Sequence, residues 1–241
     1  MTSLSLRVLR TADELAVLPP FEHRIWGGDD AVSVNMLVAV VAEGGVAIGA
    51  FDGDDIVGSV FGFPTHDRAV LHSHYMAVDP AWRRQGLGVR LKHEQRAWCL
   101  DHGITGMRWT YDPLQLANAH LNLVALGAVG VAYHENHYGT LGGINGDLPS
   151  DRITVFWDLA PVAPTATPTV FVDVPPVTAD DIASSNEAAM RARLVVRDAL
   201  QRPLHDGWRL IGVDREARRY ALAPPDEPSA VEPSPSTASA S

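Results

Sequence analysis

Apolar residues recur at every second position from Leu4 to Leu9 (Leu4, Leu6, Val8), which predicts a short strand. Thr11 followed by Glu14 forms a capping box, so a helix starts there, and the Pro19-Pro20 pair is expected to interrupt it. Val34 to Glu43 reads as a second helix, ended by Gly44-Gly45. The apolar runs Val46 to Phe51 and Ile56 to Phe63 flank an Asp-Gly turn and predict a β-hairpin. Leu71 to Val78 is the next strand. Gly86 to His102 predicts a helix with Leu87, Leu91 and Trp98 on one face and Gly103 past its end. Met107 to Tyr111 reads as a strand. Asp112-Pro113-Leu114-Gln115 then offers Asp as N-cap, Pro at N1 and Gln at N3, predicting a helix that runs to Leu126 and stops at Gly127. Two more strands are expected near Ala128 to His134 and Ile153 to Leu159.

This order of elements predicts an α/β fold, a mixed sheet layered with helices, over residues 1–159. Residues 160–168 (Ala-Pro-Val-Ala-Pro-Thr-Ala-Thr-Pro) have the composition of a stiff linker. Residues 169–223 read as a strand (Val170 to Val174), a helix (Asp180 to Gln201) and two short strands (Trp208 to Val213, Arg219 to Leu222). Such a segment is too small to bury its own core, so it is expected to pack on the main domain. It would lid the site, extend the sheet or mediate dimerisation, and the pattern does not choose among these. Residues 224–241, rich in Pro, Ser, Ala and Glu, read as a disordered tail.

Composition narrows the function. The 241 residues are 46% hydrophobic, enough for one sizeable core, and the net charge of −10 argues against a nucleic-acid partner. The single cysteine, Cys99, excludes an internal disulfide and a cysteine-based zinc cluster. The longest apolar stretch, Met36 to Ala42, is too short to span a bilayer, so no membrane partner is expected and the default location is cytoplasmic.

The chemistry concentrates in Tyr75 to Gly88, where a strand ends, a loop carries Arg-x-x-Gly-x-Gly, and a helix begins. Free amides at the start of that helix, with its dipole, make an anion site suited to a pyrophosphate. Gly86 and Gly88 would let the backbone approach a bulky anion, and Arg83 and Arg84 would add charge-assisted donors. The only lysine, Lys92, stands outside any Gly-Lys-Ser/Thr, which excludes a Walker A loop. The hairpin before the loop fits a Rossmann βαβ unit poorly.

The stretch Met76 to Gly88 resembles motif A of the GNAT (Gcn5-related N-acetyltransferase) superfamily, and the element order is similar to that fold from Leu4 to Leu159. His72-Ser73-His74, the segment Trp109 to Gln115, Asn118 to Asn122 and Leu148 to Arg152 resemble a bacterial branch of GNAT proteins without an assigned substrate, which also carries a C-terminal extension. The resemblance implies a mixed, mostly antiparallel sheet flanked by helices, plus a small strand-helix-hairpin extension. It implies acetyl-CoA or another acyl-CoA as co-substrate, with amides from Arg84 through Gln85, Gly86 and Leu87 to Gly88 on the pyrophosphate, and Met76 and Val78 pairing with the pantetheine arm. The reaction would be acyl transfer to an amine of a small molecule. Many relatives place a thiolate-protonating tyrosine where this chain has Leu123.

Asn118 and Asn122, four apart on one helix face, are placed to meet the sulfur or the pantetheine. His137 and Tyr138 would reach in from a later turn. His72 and His74 alternate onto one strand face with Met76 and are candidate bases. Packed, hydrogen-bonded histidines are the plain alternative for both. Asp112 reads as a helix cap rather than a catalytic acid, and no metal is expected, since the ten histidines lack ligand spacing. The non-catalytic alternative is an acyl-CoA sensor or interaction module. Transfer to a protein N-terminus or lysine is a third reading, and a homodimer is left open.

Overall fold

The computed structural model describes residues 4–27, 31–141, 146–160 and 167–225. Its elements are β1 (Leu4–Leu9), α1 (Ala12–Leu15), α2 (Leu18–Trp26), α3 (Val34–Ala42), β2 (Val46–Asp52), β3 (Asp55–Pro64), β4 (Val70–Val78), α4 (Leu87–Asp101), β5 (Gly106–Tyr111), α5 (Leu116–Ala119), β6 (Val129–His134) and β7 (Arg152–Asp158), followed by β8 (Val170–Asp173), α6 (Ala179–Ala183), α7 (Glu187–His205), β9 (Arg209–Asp214) and β10 (Arg219–Ala223). Residues 161–166 of the expected linker and 226–241 of the expected tail lie outside the described residues.

The ten strands among the described residues join one mixed sheet in the order β1-β2-β3-β4-β5-β7-β6-β9-β10-β8. Among the described residues only the β4–β5 pair is parallel. The C-terminal strands extend the sheet through a single pairing, Gly130 with Leu210, and Gly130 cannot carry a side chain because its Cβ would lie 2.7 Å from that of Leu210. One hydrophobic cluster runs from Ile48 and Leu91 through Met107 and Ile153 to Val196, Leu200 and Leu222, so both parts of the chain share a core. A smaller cluster (Leu9, Leu15, Leu18, Leu37, Phe51, Phe61) seats α1–α3 on the sheet face opposite α4.

Three expected helices take different form. The proline pair does not merely break a helix: Pro19 and Pro20 lie in the first turn of α2, where a missing N–H costs nothing. The helix expected from Asp180 to Gln201 is two helices, because Ser185 takes a positive φ and Asn186 re-caps α7 through Ala189 N. The helix expected from Asp112 starts only at Leu116 and widens into a π-helical turn over His120–Ala125, with Leu126 N bonded to Leu121 O at 3.0 Å. The reason lies far along the chain. The Asp112 carboxylate accepts from Leu114 N and is gripped bidentately by Arg193 of α7, both contacts at 2.7 Å and both groups buried.

A second clamp secures the same helix. Arg197 binds Asp151 through two contacts of 2.8 Å, while the Tyr133 hydroxyl donates to that carboxylate at 2.6 Å.

A fork in the sheet beside an uncapped helix

The β4–β5 ladder pairs only Val70 with Gly106, Leu71 with Met107 and His72 with Arg108. Beyond it the strands diverge, while β4 stays paired with β3 to Val78. A bulge coincides with the fork: Phe61 faces Tyr75 and Gly62 faces Ser73, leaving His74 as the extra residue. Asp79 donates its N–H to Val57 O of β3 at 2.9 Å, so the Val78 carbonyl of the same peptide points the other way, into the fork. By the two-residue repeat, Met76 presents its backbone to the same opening.

The bulge corrects one expectation. His72 and His74 do share a face, with ring centroids 6.1 Å apart, but Met76 does not share it. The extra residue reverses the alternation, and Met76 packs on the α4 side, 3.2 Å from where a Gly88 Cβ would stand. Gly88 therefore permits close helix–strand packing rather than anion approach. Gly86, at φ +80, forms the N-cap of α4, and nothing lies within 4 Å of where its Cβ would be.

The N-terminus of α4 has no side-chain cap, whereas Thr11, Ser33, Thr178 and Asn186 cap α1, α3, α6 and α7. Its first-turn amides, Leu87 to Val89, have no partner within the helix, and the preceding Arg83, Arg84, Gln85 and Gly86 are exposed. Arg84 takes a φ of 61, an αL conformation that turns the loop into the helix. Two side chains brace the loop from within: Gln85 Nε2 donates to Ala81 O at 2.7 Å, and Arg83 Nε to Val78 O at 3.1 Å. Arg83 is thus a strut that holds its guanidinium at the fork's mouth, more than a free donor.

The opposite face gathers His72, His74 and Tyr138. His72 stacks on Phe63 with centroids 4.7 Å apart, and His74 lies edge-on to Phe61. Tyr138 reaches the other arm, its hydroxyl 3.1 Å from Thr110 Oγ1 on β5, and His137 packs between Tyr138 and His134. Burial, with His74, Arg108, Lys92 and His137 nearby, pushes His72 down to about 4. Burial also lowers His74. His72 is therefore a neutral imidazole and a weak base, a correction to its expected role; the more exposed His74 keeps the better position.

The asparagine pair is also corrected. Asn118 is exposed, but Asn122 is buried and accepts from the Trp109 indole at 3.1 Å, because the π-helical turn breaks the four-residue spacing. Asn122 thus supports β5 instead of facing a ligand. Leu123 is in the core.

Sequence reasoning missed a buried polar group behind the fork. Lys92 Nζ donates to Ser73 Oγ at 2.7 Å and lies 3.7 Å from the centroid of the Trp109 ring, and Ser73 donates to Gln95 Oε1 at 2.8 Å. The inward face of α4 is Leu87, Leu91, Lys92, Gln95 and Cys99; Trp98, expected there, is displaced to the flank, where it stacks on His102. One signal was available: the chain's sole lysine follows Leu91 on an amphipathic helix.

Among the described residues no group of three or more metal-binding side chains occurs, and no helix is long and apolar enough to cross a membrane. A cleft of about 490 Å³ between β6 and α7 lies away from the fork and includes Tyr133, Asp198 and His205.

Comparison with known proteins agrees with this geometry. The profile of the acetyltransferase (GNAT) family matches residues 15–122. A putative acetyltransferase from Salmonella typhimurium, solved with its cofactor acetyl-CoA, superposes with a TM-score of 0.54 at 16% identity, over 68% of this chain and 99% of that one. The ribosomal-protein-S18-alanine N-acetyltransferase from Escherichia coli gives 0.53 at 17% identity, over 67% of this chain and 97% of its own. An aminoglycoside 6'-acetyltransferase type Ii gives 0.53 at 17%, over 67% and 99%. No curated protein matches the chain in sequence. Residues 15–122 thus match the GNAT acetyltransferase family profile, and the motif, the forked sheet and the solved neighbours agree on the GNAT fold.

Proposed function

We propose that this chain transfers an acetyl or other short acyl group from acyl-CoA to an amine of a small molecule. The observation that carries the reading is the coincidence of two openings. The fork beyond His72 and Arg108 turns strand-edge groups of Met76 and Val78 toward an extended pantetheine arm, the Val78 carbonyl also accepting from Arg83 Nε, and that edge leads to the uncapped N-terminus of α4. Amides from Arg84 to Gly88 hold the pyrophosphate, with Arg83 beside it. Asn118 is exposed at the start of the helix after β5 and remains within this assignment.

The acceptor enters from the face of His72, His74 and Tyr138. The His74 imidazole there accepts a proton from an ammonium, directly or through water, and His72, the weaker base, stays neutral beside it and does not repel the acceptor. A largely apolar hollow of about 330 Å³, lined by Ala39, Val40, Glu43, Phe63 and Pro64, adjoins this face through the Phe63–His72 stack and has the size for a small molecule's body. The non-catalytic sensor is not favoured, since both arms of the fork carry polar side chains on the acceptor face.

Calorimetry with acetyl-CoA tests the first half: a folded chain that shows no binding ends the proposal. A panel of small amines with detection of released thiol tests the second half. Sustained release that disappears in His74→Ala supports transfer, and acetyl-CoA binding without release from any amine returns the sensor.

A further inference from the structure

Lys92 is an anomaly that acyl-CoA binding does not explain. Only 3% of its surface is exposed, and its nitrogen faces a hydroxyl and an aromatic ring, with no carboxylate in contact among the described residues. Its position is as unusual as its burial. The last β4–β5 pair is His72 with Arg108, and Lys92 Nζ bridges the next residue on each strand, Ser73 and Trp109. The ammonium therefore sits at the vertex of the fork, on the α4 side. An acyl-CoA laid along the open edge of β4 from the α4 N-terminus brings its thioester end to that vertex.

A buried charge with no counter-ion stabilises any anion formed nearby, because little solvent screens it. The anion formed in the proposed reaction is a thiolate. We propose that Lys92 supplies the positive charge against which the thiolate of coenzyme A departs. The acceptor nitrogen forms the C–N bond as the C–S bond breaks, the sulfur keeps the electron pair, and the proton shed by the acceptor restores the thiol. The Tyr138 hydroxyl does not compete for this role, being on the opposite face against Thr110.

The surroundings keep Lys92 responsive. From its own helix Gln95 and Cys99 approach it; from β4, Ser73 and His72; from β5, Trp109, held by Asn122. Of these, His72 is neutral near pH 7, and burial pushes the Cys99 thiol up to about 12, so neither offers a charge. Burial brings Lys92 itself down to about 7, and a neighbouring thiolate would draw it back to the ammonium form.

The inference rests on the acyl-CoA reading, and its test separates the two. Coenzyme A is bound to the full chain and its thiol titrated by thiolate ultraviolet absorbance, with binding measured in parallel by calorimetry. The bound thiol should ionise at least about one pKa unit below the free one, about tenfold more thiolate at neutral pH. Lys92→Met should keep coenzyme A binding and return the thiol to its free value. A wild-type bound thiol that titrates like free coenzyme A overturns the proposal without any variant, as does a shift that survives Lys92→Met. Absence of coenzyme A binding to the wild type overturns the acyl-CoA reading itself and this inference with it.

Discussion

Replacing Lys92 with methionine should stabilise the protein, and by an amount that depends on pH. Methionine matches the length of the lysine stem and fills the same space between Ser73 and Trp109 without a charge. The lysine's ordinary pKa of 10.5 is lowered to about 7 by burial. At about 1.4 kcal/mol per unit, that gap sets an upper figure on the order of 5 kcal/mol for the desolvation the folded state bears. Local relaxation and loss of the Ser73 hydrogen bond reduce the return, and apolar replacements of buried charges typically gain about 1–4 kcal/mol.

The sign follows from proton counting. Between about pH 7 and 10.5 the unfolded chain holds a proton that the folded chain has released, so wild-type stability rises with pH across that window. The advantage of Lys92→Met is therefore largest at pH 7 and below, and shrinks by about 1.4 kcal/mol per unit above it. Urea denaturation of both proteins from about pH 6 to about pH 9.5 measures this directly. A variant less stable than wild type at the acidic end, or a difference that does not change with pH, would refute the reasoning.

Gly86→Asp should abolish acetyl-CoA binding by calorimetry while costing only about 1–2 kcal/mol of stability, since φ is +80 and the added side chain enters open space toward the anion site. Arg193→Met should destabilise the fold by about 3–5 kcal/mol, because it removes both close hydrogen bonds to the buried Asp112 carboxylate and leaves only Arg152, 3.9 Å away, as its cation, whereas the double change with Asp112→Leu should recover much of that loss in denaturant titrations. Wild-type stability should fall as pH drops from about 6.5 toward 4, since the unfolded chain protonates His72 and the folded one resists it; His72→Phe should flatten that part of the curve in the same assay.

Local chemistry was a good guide wherever neighbours in sequence are also neighbours in space. The β2–β3 hairpin, the Thr11 capping box and the loop from Asp79 to Gly88 could all be read from the chain, because turn residues, caps and glycines act over a few positions. The motif loop thereby carried the resemblance to the GNAT superfamily, which the family profile over residues 15–122 matches.

Contacts across many residues decided the rest. Arg193 lies 81 residues from Asp112, yet it converts an apparent helix cap into half of a buried ion pair and delays the helix to Leu116. One extra residue at His74 turns Met76 to the other face of the sheet, and period-two reading has no means of seeing a bulge, since register belongs to the partner strand. The burial of Lys92 is likewise a property of the assembled fork: α4, β4 and β5 must all be in place before a lone lysine becomes a desolvated charge. Sequence alone thus determined most element types and the glycine-bearing loop before α4, through short-range sterics and hydrogen bonding. Tertiary structure alone decided which side chains face the opening and which charges lie without a counter-ion, because facing and desolvation depend on partners distant in the chain.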